Sequence, residues 1–188
     1  MGTWPEDGIA RDGVRLRRWR AEDAEQRFAI HDAESLRWSP PMGPRDLDAQ
    51  RARIEKALAV EPGSEPLSLA VVDDADPARV LGDIDVRPGP PPPFSVRDIG
   101  YAVLPAARGR GVGSTALRLH TEWLLDPDGG DVLRVQLDHA VEHVASCRTA
   151  LRAGFGIEGR RGRFLPLQEN PDAPVVHHDV CLHGRVRD

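Results

Sequence analysis

Ile99-Gly100-Tyr101-Ala102-Val103-Leu104, followed after Pro105-Ala106-Ala107 by Arg108-Gly109-Arg110-Gly111-Val112-Gly113-Ser114, is the stretch on which the fold turns. Its first six residues predict a strand. From Ser114 to Leu125 the residues Ala116, Leu117, Leu119, Trp123 and Leu124 recur at helical spacing, predicting a helix with a broad apolar side. Asp126-Pro127-Asp128-Gly129-Gly130 is a turn, and Val132 to Leu137 predicts another strand. A strand, helix, strand unit requires the two strands to be parallel. The glycine-rich turn enters the helix, so its backbone N–H groups and the helix N-terminus converge on a point that attracts an anion. Gly109, Gly111 and Gly113 have no Cβ to keep phosphate oxygens away, and Arg108 and Arg110 can add charge-assisted hydrogen bonds. The expected ligand carries a phosphate or pyrophosphate; the plain alternative is a tight turn ahead of a helix.

A dinucleotide motif overlaps this turn, since Gly111-Val112-Gly113-Ser114-Thr115-Ala116 satisfies G-x-G-x-x-A and Asp138 follows the next strand. Two features weigh against it: six residues, Pro105 to Arg110, separate strand from glycines, and only one parallel crossover is evident. No G-x-x-x-x-G-K-[ST] occurs.

Outward from this unit the chain reads as strands and short helices. Val14 to Trp19 alternates Val14, Leu16 and a final Trp19 with Arg15, Arg17 and Arg18, which predicts an opening edge strand with its arginines wet. Ala21 to Asp32 and Asp46 to Val60 predict amphipathic helices, separated by the break Ser39-Pro40-Pro41-Met42-Gly43-Pro44. Leu67 to Val72 and Val80 to Val86 predict an antiparallel hairpin, and Pro88 to Pro93 a polyproline-like loop. Downstream, Glu142 to Ala153 predicts a helix stopped at Gly154, then strands follow around Ile157 to Leu167 and Val175 to Leu182. One domain spans 14–184, preceded by an N-terminal extension at 1–13, with no interdomain linker.

The chain has 188 residues, 40% hydrophobic and 29% charged, within the range of ordinary globular domains. Its 30 acids against 25 bases give a net charge of -5, which supplies no global field for nucleic acid. No run approaches the roughly 18 apolar residues of a membrane span. The opening Met1 to Glu6 lacks the plan of a secretory leader, so a cytoplasmic location, with neither membrane nor nucleic acid as partner, is expected. Cys147 and Cys181 cannot alone form a disulfide framework or a four-ligand zinc site. His177-His178-Asp179 reads as a polar patch on a strand whose alternation separates the two histidines, and no metal is expected.

Arg108-x-x-Gly111-x-Gly113 resembles the acetyl-CoA signature Gln/Arg-x-x-Gly-x-Gly/Ala of the GNAT acetyltransferase superfamily. His143-Val144-Ala145-Ser146 leading to Gly154-Phe155 resembles the family's downstream Asn-x-x-Ser/Ala before a helix that ends in Gly-Phe. Leu16 to Ala24, Arg37-Trp38 and Asp98-Ile99-Gly100-Tyr101 look most like the RimJ/RimL branch. The resemblance implies an α/β (α+β) fold whose central mixed sheet is splayed between its fourth and fifth strands (Ile99–Leu104 and Val132–Leu137) and flanked by helices. It implies acetyl-CoA as co-substrate, an amine acceptor (a protein N-terminus or a small molecule), direct transfer of the acetyl group, and a homodimer. Backbone groups of Val103 and Leu104 are implied at the pantetheine arm, with Arg108, Gly109, Arg110, Gly111, Val112, Gly113 and Ser114 at the pyrophosphate and Ser114 opening the helix. His143 stands where the family carries Asn, as a ligand of the cofactor arm or a helix cap.

Attack of an amine on a thioester needs a neutral nitrogen and a proton for the leaving thiolate. Asp98 matches the place of a carboxylate base in some members; its alternative is a solvated strand-end acid. Many members protonate the thiolate with a tyrosine, and Ala150 occupies that position here. Ser146 matches the serine of RimJ/RimL-like sequences and can hydrogen-bond the sulfur. Trp38 and Tyr101 are expected at the acceptor pocket, with Arg37, Phe94 and Phe164 as further walls. Cys147 offers a ping-pong nucleophile or plain packing. An α-amine has a pKa near 8 against about 10.4 for lysine, so it costs about 3.4 kcal/mol less to deprotonate and suits a site without a strong base. A catalytically silent acyl-CoA sensor of the same fold is the competing class.

Overall fold

The first hairpin joins β1 (Ile9–Arg11) to β2 (Val14–Arg17) through Asp12 and Gly13, both at positive φ, the backbone a two-residue hairpin demands. In the computed structural model, residues 2–187 are described apart from 42, 45, 62, 91, 92 and 171. The edge of the sheet is therefore β1, not the strand at Val14. Trp4 is buried, packed edge-on against Trp123 at 4.9 Å, so the segment ahead of residue 14 contributes to the core. Arg17, expected on the wet face, is buried and holds both oxygens of Asp23 at 2.7 and 3.0 Å.

The helix expected over Ala21 to Asp32 is broken. After a single 3-10 turn, α1 (Ala24–Ile30) ends, and Asp32 starts α2 (Ala33–Arg37) by accepting the Ser35 amide at 3.0 Å. Asp46 caps α3 (Leu47–Leu58) in the same way through Ala49. The hairpin of β3 (Ser68–Asp73) and β4 (Val80–Pro88) is antiparallel as expected, and β5 (Val96–Val103) continues the meander. The polyproline reading of Pro88 to Pro93 includes residues 91 and 92, which lie outside the described residues.

α4 (Val112–Leu125) then crosses to β6 (Arg134–Ala140), which runs parallel to β5. α5 (Val144–Arg152) ends at Gly154, whose φ of 88° takes the left-handed cap. β7 (Gly156–Leu167) and β8 (Val176–Val186) form a closing hairpin with β8 inserted next to β6. The eight-stranded order is β1-β2-β3-β4-β5-β6-β8-β7. Among the described residues every neighbour is antiparallel except β5 with β6, and those two pair only through Val96/Arg134, Arg97/Val135 and Asp98/Gln136. Beyond Asp98 they part, so the mixed sheet opens between the strands the sequence singles out.

Alternating side chains divide the core between the two faces. Ile84, Ile99, Val135 and Leu137 pack with Leu117 and Leu124 of α4; Ala70, Val72 and Val80 pack with Ile30 of α1 and Ile54 of α3. Among the described residues no helix is long and apolar enough to cross a membrane.

Candidate active site

The glycine turn lies where β5 leaves the ladder. Gly109 and Gly111 have φ of 74° and 82°, the region open to glycine, and Gly111 is the residue before α4. The helix starts at Val112, two residues earlier than expected: Thr115 N–H already bonds Gly111 O at 3.0 Å, and Ser114 Oγ donates to the same oxygen at 2.9 Å. The amides of Val112, Gly113 and Ser114 thus fall in the first turn, where a helix offers them no acceptor. A Cβ on Gly109 would meet nothing within 4 Å, so the approach to the turn is open. Gly113 has a different task. A Cβ there would stand 3.0 Å from Tyr101 Cε2 and 3.3 Å from both Thr149 Cγ2 and Val103 Cγ2, so its absence lets α4 settle onto β5.

Arg108 is not free to meet an anion with its side chain. Its guanidinium grips both oxygens of Asp32 at 2.6 and 2.9 Å, donates to Ser35 Oγ at 2.8 Å, and reaches Val103 O through Nε at 3.1 Å. This contact holds the Asp32 carboxyl well below the usual carboxylate range. Val103 O thereby accepts one hydrogen bond, and Leu104 N–H is bonded to Leu81 O at 2.8 Å. Arg110 is exposed.

Behind the turn, Tyr101 from β5 and Ser146 from the first turn of α5 bring their hydroxyl oxygens to 3.3 Å. Ser146 is buried, and burial raises the Tyr101 pKa above its usual value. The position where many family members carry tyrosine, Ala150, is wholly buried in the core. Cys147 is the next residue of α5 and is half-buried.

The opposite face of the opening is acidic. Asp98 is at the last paired step between β5 and β6, where Gln136 Nε2 donates to it at 3.0 Å. Asp138 is two residues past Gln136, on the same face, in the portion of β6 that has left β5. Burial raises its pKa, opposed by the positive charges of Arg87 and Arg161 and reinforced by Asp98. The sequence singles out Asp138 only as the acid of the overlapping dinucleotide motif, directly after the strand expected over Val132 to Leu137; it lies within β6.

Trp38 and His143 meet as a stacked pair, 4.5 Å between centroids and 3° from parallel. His143 is the residue before α5, yet its side chain makes no cap; burial first, and then His139, pull its pKa down to about 4, so the ring is neutral at physiological pH. The indole N–H of Trp38 donates to Glu34 at 2.8 Å, and Arg37 lies over the indole ring. Phe94 and Phe164 are exposed, the latter under Arg161. The structure therefore brings Gly109 to Ser114, Tyr101, Ser146, Trp38 and His143 around the outlet of the sheet, with Asp98 and Asp138 on its other face.

This geometry has known counterparts. The chain superposes on the ribosomal-protein-S5-alanine acetyltransferase from Vibrio fischeri with a TM-score of 0.76 at 16% identity, covering 96% of each chain. Against Mycobacterium smegmatis RimJ in complex with CoA-disulfide the TM-score is 0.71 at 20% identity, over 96% of this chain and 83% of that one. For the microcin C7 self-immunity acetyltransferase MccE in complex with acetyl-CoA and AMP it is 0.75 at 18% identity, over 98% of each. No curated protein matches the sequence significantly. The profile of the Acetyltransferase (GNAT) domain matches residues 14–156, a span holding the glycine turn, the opening of the sheet and the helix that carries Ser146, and the chain belongs to the GNAT acetyltransferase family.

Proposed function

We propose that the protein is an acetyl-CoA-dependent N-acetyltransferase that passes the acetyl group directly to a primary amine, either a protein N-terminus or a small molecule. The observation that carries this reading is the coincidence of the open, left-handed glycine turn with the one parallel step at which the sheet comes apart. The amides of Arg110 to Ser114 would hold the pyrophosphate, and the unzipped edge of β5 would lie along the pantetheine arm. Bound there, acetyl-CoA supplies an activated thioester.

The two faces of the opening divide the chemistry. Ser146, backed by the Tyr101 hydroxyl, is assigned to the leaving sulfur: the serine hydroxyl donates toward the thiolate while the phenol replaces that hydrogen bond from behind. Asp138 takes the proton of the amine, its raised pKa bringing it closer to the acceptor's, and Asp98 with Gln136 positions it. An acidic face also draws a protonated amine toward the site. Trp38 and the neutral His143 would wall the entrance.

The test is release of free CoA when acetyl-CoA is offered with a panel of peptides and small amines. Product acetylated on nitrogen supports the reading. Measurable CoA binding with no thiol release across the panel favours a silent acyl-CoA sensor, the class left open by Ala150 and His143 at the family's Tyr and Asn positions.

A further inference from the structure

Beneath α5, on the side of the sheet away from Asp138, three soft or imidazole donors converge that acetyl transfer does not use. His139 of β6 is opposite Cys181 of β8, and Leu137 is opposite His183, so the alternation of both strands puts His139, Cys181 and His183 on one face. α5 packs over that face and lowers Cys147 onto it. The Nε2 atoms of His139 and His183 are 3.0 Å apart, and with Cys147 Sγ they form a trio whose ligand atoms all lie within 4.8 Å of one another. His183 is fully enclosed and His139 nearly so. Cys181 is buried on the same strand face.

Three features mark a cation site. Two imidazole nitrogens held by one ion at about 2.0–2.1 Å in tetrahedral geometry stand about 3.3 Å apart, close to the separation already present. His139 Nδ1 bonds Ala140 O at 2.8 Å. Because a carbonyl only accepts, that nitrogen carries the hydrogen and Nε2 presents its lone pair, the outer-sphere arrangement usual for a metal-bound histidine. The His183 Nδ1 atom is buried and has no hydrogen-bond partner among the described residues. The hydrogen that now lies between the two Nε2 atoms can therefore move to it, freeing a second lone pair for the ion.

We propose that His139, His183 and Cys147 bind a thiolate-preferring cation of the Zn2+ class. On binding, the Cys147 thiol loses its proton to solvent and the thiolate sulfur joins the ion; both imidazoles remain neutral, and no electron is transferred. A mixed sulfur and nitrogen set selects Zn2+ over Mg2+ or Ca2+, which take oxygen. The ion would pin α5, and with it Ser146, to the closing strands.

The full-length protein, stripped with a chelator under reductant, is titrated with Co2+ as a spectroscopic stand-in. A single equivalent should produce tetrahedral ligand-field bands and a thiolate charge-transfer band, both removed by Zn2+. Cys147→Ser should abolish the charge-transfer band and weaken Co2+ by about tenfold or more; His177→Ala, on the surface of β8, should change neither. Because a variant at this buried place can fail to fold, alkylation of Cys147 in the unmodified protein is followed as well, and Zn2+ should protect it. Absence of the charge-transfer band, unchanged binding in Cys147→Ser, unprotected Cys147, or a Cys147–Cys181 disulfide that persists under reductant would each overturn the assignment.

Discussion

Arg108 holds both carboxylate oxygens of Asp32, at 2.6 and 2.9 Å, and the same carboxylate accepts the Ser35 amide, so one side chain ties the glycine turn to the start of α2. Both partners are about one-third exposed, so water screens the pair to about 1 kcal/mol at most. The cap adds about 1 kcal/mol. Asp32→Ala should therefore cost about 1–2 kcal/mol in urea unfolding, and Asp32→Asn, which keeps the cap, less than about 1 kcal/mol. The folded pKa of Asp32 is depressed, so its contribution is present above the unfolded value near 3.9 and is lost as pH falls below it. The Asn variant should lack that acid arm.

The glycines of the turn should separate by what surrounds them. Gly113→Ala forces a Cβ against Tyr101, Thr149 and Val103, and overpacking of this kind costs about 1–3 kcal/mol. Because the ring it pushes belongs to Tyr101, kcat should fall more than the affinity for acetyl-CoA. Gly109→Ala has open space but a φ of 74°, so its cost is backbone strain of about 1–2 kcal/mol, and its effect should appear in CoA affinity. Calorimetric CoA binding and steady-state kinetics on the two variants check the split; matching profiles would contradict it.

Tyr101 and Ser146 should behave as a unit. Tyr101→Phe removes the phenol hydroxyl and Ser146→Ala its partner, each lowering kcat by about 10²-fold if proton delivery to the sulfur limits turnover. The double variant should cost little more than either single one, since the phenol acts through the serine. Multiplicative losses in the cycle would show that the hydroxyls act separately.

How much of this was legible from the residues depends on range. The strand, glycine turn and helix at 99 to 125 follow from local periodicity, and the parallel step follows from the crossover. Asp12-Gly13 carried a hairpin signal, and Asp32 with Ser35 a cap, both local and both readable. The Arg108 to Asp32 pair spans 76 residues and the His139 to His183 contact 44, and no period in the chain encodes such meetings. The burial of Arg17 was hidden for the same reason: alternation marked it as wet because its partners, Asp23 and the Pro77 carbonyl, come from other elements. Asp138 gains its meaning only from where β5 and β6 part.

Asp98 and Asp138 differ in a way that kinetics can separate. Asp98 is held by Gln136 at the closed end of the fork, whereas Asp138 faces the open end with a raised pKa. A base works when deprotonated, so kcat/KM should fall as pH drops through the Asp138 pKa, which lies above 3.8. Asp138→Asn should remove that acid limb and cost about 10²–10⁴-fold, while Asp98→Asn should keep the limb with a smaller loss. An acid limb that survives in Asp138→Asn and vanishes in Asp98→Asn would reverse the two roles.

His120 provides a test of the core that is independent of catalysis. Its imidazole is fully enclosed on α4 beside Trp4 and Trp123, neither ring nitrogen has a hydrogen-bond partner among the described residues, and burial pulls its pKa down to about 3. The unfolded chain binds this proton near pH 6.5 and the folded chain does not until about pH 3. Between those values unfolding takes up a proton, so stability falls as the solution is acidified, by about 1.4 kcal/mol per pH unit. Well above pH 6.5 the group is uncharged in both states and contributes nothing to the slope. His120→Phe keeps an aromatic ring between the two tryptophans and has nothing to titrate. Urea unfolding at pH 7.5 and 5.5 should show the variant gaining about 1.4 kcal/mol relative to the parent on acidification. Parallel pH dependences would mean that the folded protein already protonates His120, and that its enclosure does not hold in solution.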